Sequence, residues 1–133
     1  DPTRNDMITA TAFACAQRVR RIAVPLDMYI VLCSHRRRDE RILGFIYNLG
    51  LRDLIWPDEG KWCTPFLDDD EIDPDLSVRG QEIAAHMRRW NIEHHLVIDD
   101  MPALVSPITN QIQPDPKIGI TEDHVFRALA LLS

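Results

Sequence analysis

Two short runs of core-type residues govern what this chain can fold into: MYIVLCS at 28–34 and HLVID at 95–99. Neither alternates apolar with polar residues, and each is bounded by polar residues within a strand's length. That is the pattern of a strand buried on both faces. Around these runs, apolar residues recur at helical spacing. Ile8, Ala12, Cys15, Val19 and Ile22 fall on one face of a predicted helix, which should stop before Pro25 because a proline disfavours the α region at the preceding residue. A second helix is predicted over 37–49, with Ile42, Phe45, Ile46 and Leu49 inward and Gly50 as its C-cap. Ser77 caps a third, whose inward positions include Ile83, Ala84, Met87 and Trp90, although Gly80 stands where a capping-box Glu would be. Thr121 caps the last helix, with Glu122 and Asp123 in its first turn and Val125, Leu129 and Leu132 inward. The stretches DLIW within 51–56, ended by Pro57, and 110–113 are predicted as further short strands, with an irregular polar stretch over 58–76 between the first of these and Ser77. Helices alternating with short buried strands imply a parallel sheet covered on both sides.

A chain of 133 residues fits one domain, 1–133, large enough to bury roughly two-thirds of its unfolded surface. No apolar run approaches the roughly 20 residues that span a bilayer, so no membrane partner is expected. The chain starts at Asp1 rather than Met and shows no signal peptide, which fits a processed protein or a piece of a longer one. The net charge of −6 argues against binding nucleic acid through an overall positive field. The charge is uneven: Arg18, Arg20, Arg21, Arg36, Arg37, Arg38 and Arg41 crowd the first third, and acids crowd 68–75. Such polarity suits a protein contact or a local anion site, and solvated faces produce the same pattern more often. Cys15, Cys33 and Cys63 do not form a disulfide framework, which points to an intracellular, reducing compartment.

Ligands of open parallel sheets bind beyond the carboxyl ends of the strands. One predicted strand ends at Cys33-Ser34-His35-Arg36 and another at Asp99-Asp100. Side by side, they would gather a hydroxyl, several arginines and two carboxylates. Carboxylates hold Mg²⁺ and guanidinium groups hold phosphate oxygens, a combination suited to phosphoryl chemistry. The run Arg36–Arg38 beside Ser34 is the best anion contact in the sequence, and Arg37 is expected to bind phosphate. Paired acids after a strand are more often a turn or a helix cap. The acidic run 68–75 fails the calcium-loop pattern, and Cys33, His35, Cys63, His94 and His95 lack zinc spacing. Trp56, Trp62 and Trp90 read as core or interface anchors rather than base-stacking platforms.

Five stretches run in the order of one known family. They are YIVLCSHRRRDERI at 29–42, CTPFLD at 63–68, RGQEIAAHMRRW at 79–90, HLVIDDM at 95–101 and QPDPKIGITEDHVFRALALL at 113–132. With them, the chain resembles the haloacid-dehalogenase (HAD) domains of phage and bacterial RNA-repair and polynucleotide kinase-phosphatase-like proteins. The resemblance implies a three-layer Rossmann-like α/β fold. It implies that Ser34, or Cys33 one residue earlier, holds the phosphoryl group as a catalytic residue. It implies that Arg79 neutralises nucleophile and phosphate, and that Asp99 and Asp100 bind Mg²⁺. Family members begin with a strand ending in DxD, whose first Asp attacks phosphorus and whose second is general acid/base. Asp1 and Asp6 do not form that motif, and the stripe from Ile8 reads as helix, so the first strand is expected to be absent from the chain. In the family that strand lies between those ending at Ser34 and Asp99. An empty slot there would leave backbone groups unpaired at roughly 1–3 kcal/mol each. A partner chain or an upstream segment is therefore expected to complete the sheet.

Three functions follow as expectations. The first is a non-catalytic accessory or structural subunit of a larger assembly. The second is a Mg²⁺-dependent phosphohydrolase, acting on phosphorylated nucleic-acid ends, whose nucleophile strand lies outside the chain. The third is a phosphate- or nucleotide-binding module. Substrate, assembly and any nucleic-acid partner stay open.

Overall fold

A computed structural model of the protein describes residues 7–10, 16–39, 41–57, 60–100, 110–115 and 117–132. The slot expected to be empty is filled by the chain itself. Strand β1, Met7–Ala10, lies between β2, Tyr29–Val31, and β3, His95–Ile98, and β4, Gln111–Ile112, completes a parallel sheet ordered β2-β1-β3-β4. Thr9 stands opposite Val31 on one side and Val97 on the other, and Ala10 stands opposite Ile98. The expectation of a missing first strand is thus corrected. A strand in this position pairs the inward backbone groups of both neighbours, whose orphaning would be costly. The reading failed because the 4-3-4-3 spacing from Ile8 to Ile22 fits a helix, while a four-residue central strand carries no period of its own.

Helix α1 runs over Ala16–Leu26, later than expected, and it passes through Pro25. Two hydrogen bonds close its end: Asp27 N–H donates to Val24 O at 3.1 Å and Met28 N–H to Ala23 O at 3.0 Å, with Asp27 left-handed at φ 54°. This double closure satisfies the last carbonyls, and a proline in the final turn forfeits only one bond. Residues 35–38 form a 3₁₀ turn ahead of α2, Arg41–Asn48, so the helix expected over 37–49 starts later. Asp39 interrupts it by accepting the Arg41 N–H at 3.0 Å, as a helix-capping carboxylate does. The expected DLIW strand is a 3₁₀ turn, Arg52–Leu54, followed by a single bridge from Ile55 to Ile30. Farther on, Leu32 N–H donates to Trp62 O at 2.8 Å and Thr64 N–H to Leu32 O at 2.9 Å. These bridges cover the outer edge of β2. Helices α3, Val78–Trp90, and α4, Glu122–Leu132, start where expected, and Ser77 Oγ accepts the Gly80 N–H at 3.1 Å.

Side chains of alternate residues separate to the two faces of the sheet. Ile30, Leu32, Leu96, Ile98 and Ile112 join a core with Val19, Ile22, Ile46, Val125 and Ala128 from α1, α2 and α4. Tyr29, Val31, Cys33 and Val97 join a second core with Trp56, Ile83 and Ile92. The mixed α/β class with a small parallel sheet is as the sequence implied. Among the described residues, no helix is long and apolar enough to cross a membrane.

Candidate functional site

All four strands are parallel, so their carboxyl ends open on one edge. There, three of the expected site residues meet. Asp99, immediately after β3, is fully buried. Arg79, in the first turn of α3, directs Nη1 to both of its oxygens at 3.1 Å. From the other side of β1, the Cys33 thiol donates to Asp99 Oδ2 at 3.9 Å. Sequence register left Cys33 and Ser34 as alternatives for one role, and it is Cys33 that faces the buried carboxylate. Ser34 lies partly exposed one residue on, with its carbonyl bound to Arg37 Nη1 at 2.8 Å. Asp100 sits half-buried at the rim. The Asp99 backbone is fixed too: its N–H donates to Ile112 O at 3.1 Å and its carbonyl accepts from Gln111 Nε2 at 3.3 Å.

Arg37 does not serve the site as expected. Its side chain is buried, and every donor is taken: Nε by Thr64 O at 2.8 Å, Nη1 by the Cys33 and Ser34 carbonyls at 2.9 and 2.8 Å, and Nη2 by Pro65 O at 3.1 Å and Glu82 at 3.0 Å. A guanidinium has five N–H groups, so none is left for a phosphate. The phosphate-binding expectation for Arg37 is therefore corrected: the residue braces the loop after β2 against residues 64–65 and α3. Phe66 packs under it, its ring centroid 3.6 Å from the Arg37 guanidinium carbon and 3.9 Å from that of Arg38. Burial explains the choice, since a buried guanidinium must have all its donors answered. Glu82, the acid that answers it, was not singled out in the sequence. Its signal was an acid on the inward stripe of α3, one position before Ile83. Of the other two arginines of that run, Arg38 is exposed and the side chain of Arg36 lies outside the described residues, as do Asp1, Asp6 and Cys15.

The strand ends thus bring together Cys33, Asp99 and an arginine from α3, the helix before β3. The model of the family described as "HAD domain in Swiss Army Knife RNA repair proteins" matches residues 2–125. The chain belongs to that family. No curated protein and no solved structure matches it.

HAD domains generally use Mg²⁺. The donors at this HAD domain's strand ends fit such an ion poorly. Mg²⁺ takes hard oxygen ligands, usually one or two carboxylates beside substrate phosphates. Here both oxygens of Asp99 are engaged by Arg79, Cys33 offers a soft thiol, β1 with the residues after it reads Met-Ile-Thr-Ala-Thr-Ala, with no acid, and Asp100 is left as a single carboxylate at the rim. A second acidic group, Asp68, Asp70 and Glu71, holds its ligand atoms within 4.8 Å of one another, but all three are solvent-exposed. Glu71 also accepts the Asp68 N–H at 3.0 Å, as residues of a capped turn do.

Proposed function

We propose that this chain is a HAD-fold domain that does not itself turn over phosphoesters and serves as an accessory or structural part of a larger RNA-repair assembly. The observation that carries this reading is the occupant of the central slot. In the family, the nucleophile stands at the tip of that strand. Here the strand is Met7–Ala10, and Thr11, Ala12 and Phe13 follow it in sequence. Neither Ala10, the strand's last residue, nor the three residues after it in the sequence has a carboxylate to form an aspartyl-phosphate. Arg79 then has no nucleophile to neutralise and pairs with Asp99, an arrangement suited to holding strand ends together. A nucleophile strand brought from elsewhere would have to displace β1 from two ladders, which weighs against the phosphohydrolase reading. The expectation that a partner fills the slot loses its motive for the same reason. The assembly half of the proposal draws on exposed Val24 and Phe126, which border one groove between α1 and α4.

The test is a turnover assay of the purified chain with Mg²⁺ on p-nitrophenyl phosphate and on RNA oligonucleotides carrying 5′- or 3′-phosphate. No hydrolysis above the buffer rate is expected. Hydrolysis that Asp99→Asn abolishes would overturn the proposal.

A further inference from the structure

We propose that the groove between α1 and α4 is the contact between two copies of this chain, related by a two-fold axis that sets the two α4 helices antiparallel. This rests on the assembly half of the reading above and names the partner of that surface. The groove, about 490 Å³, is lined by Val24, Pro25, Val125, Phe126 and Leu129, with Arg20 and Arg21 along its α1 side. Val24 is 51% exposed and Phe126 68%, so a large aromatic ring stands in water beside an apolar hollow. Covering both side chains is what an association through this face would gain.

The charges around the groove decide what fits it. Arg21 is bound to Glu122 at 2.6 and 2.8 Å and Arg18 to the same carboxylate at 3.3 Å, while Arg20 is bound to Asp53 through two bonds of 2.8 Å. An anionic partner would have to break these pairs to use the cations. A second copy meets no such cost, because its own arginines arrive already neutralised and no unpaired like charges oppose each other across the axis. The outer face of α4 is also self-complementary. Asp123 and Arg127 are exposed, one turn apart, and paired within the helix at only 3.9 Å. A two-fold contact requires that residue i meet residue j while j meets i. About an antiparallel axis at the level of Val125, Asp123 faces Arg127 of the second copy and Arg127 faces its Asp123, since the two lie equally far on either side of that level. Phe126 stands one residue from the axis on the same exposed side, so each ring is carried toward the other copy's hollow. A protruding ring beside an apolar hollow is matched by a copy of itself, whereas a partner of another sequence would have to supply both parts.

The experiment is sedimentation equilibrium of the purified chain from about 1 μM to about 500 μM, a range over which mass action raises the dimer fraction. The mass is expected to climb toward twice that of the chain and to stop there. Phe126→Glu should keep the chain monomeric throughout. Asp123→Arg and Arg127→Asp should each weaken the dimer roughly 3- to 10-fold by setting like charges across the axis, and the Asp123→Arg/Arg127→Asp double variant should regain most of the loss. All three side chains are exposed, and circular dichroism checks that every variant folds. A monomer at the highest concentration overturns the contact, as does a dimer that Phe126→Glu leaves intact. A mass that climbs past the dimer, as in an open head-to-tail array, overturns the two-fold axis. Each of these results leaves the non-catalytic reading to the turnover assay. Phosphate release by a dimeric chain would instead overturn that reading and leave the contact intact.

Discussion

Arg37 and Glu82 are the residues on which the loop after β2 depends. Their side chains are 1% and 6% exposed and meet at 3.0 Å, and Arg37 also ties down four carbonyls. Removing one member of a buried pair leaves the other charge uncompensated, at about 3–5 kcal/mol. Arg37→Met is expected to lower the stability of the chain by that amount in urea unfolding. The Arg37→Met/Glu82→Leu double variant should regain part of it. A single variant within 1 kcal/mol of the parent would show that the pair is not the brace described. Arg36, Arg37 and Arg38 are indistinguishable as letters, so no local pattern says which of them turns inward. That choice is made by the carbonyls of residues 33, 34, 64 and 65, which only the tertiary fold brings together. Asp99 was legible because it stands at the end of a buried strand, whereas Arg79 was named only through the family resemblance.

At the scale of elements, β2, β3 and α3 were readable because each carries its own signal: an unbroken apolar run, or a cap followed by a helical stripe. β1 had none. Four residues with one isoleucine and one threonine gain their conformation from two neighbours, each remote in sequence. The same holds for Ile55 and Cys63, which pair through single bridges with Ile30 in β2 and with Leu32 just after it, and belong to no ladder. Placement of β1 predicts the outcome of removing it. A chain lacking residues 1–10 exposes the inward edges of β2 and β3 together, with several buried donors and acceptors at roughly 1–3 kcal/mol each. Small domains have a total stability of about 5–15 kcal/mol, so cooperative unfolding should be lost. Retention of a sharp thermal transition by the shortened chain would mean that Met7–Ala10 is not the central strand. The account of the missing nucleophile would fall with it.

For the molecule as a whole, pH dependence converges on one histidine inside the second core region. His86 on α3 is fully buried, and neither ring nitrogen has a hydrogen-bond partner among the described residues. Trp90, one turn on, lies 6.4 Å away, and its Nε1 is likewise buried without a partner. Burial is the main cause that pushes the His86 pKa down to about 4, and the Arg89 and Lys61 charges push it the same way. The Lys61 backbone opposes the shift without reaching hydrogen-bond geometry. The unfolded chain, with His86 near 6.5, binds the proton that the native state refuses, so stability falls as pH drops below about 6.5. The loss accumulates down to about pH 4, where the folded state also takes up the proton, and amounts to roughly 3 kcal/mol. Glu122, held low by hydrogen bonds from Arg21 and Arg18, adds a separate loss only in the more acidic carboxylate range. The two are separable because their windows differ. His86→Leu removes two unanswered polar atoms from the interior, so it should match or exceed the parent at neutral pH. It should also flatten the urea midpoint between pH 6.5 and 4, leaving the fall below that range in place. A His86→Leu chain that loses stability over pH 6.5 to 4 as steeply as the parent would place the responsible proton elsewhere, His95 first, since burial lowers its pKa as well.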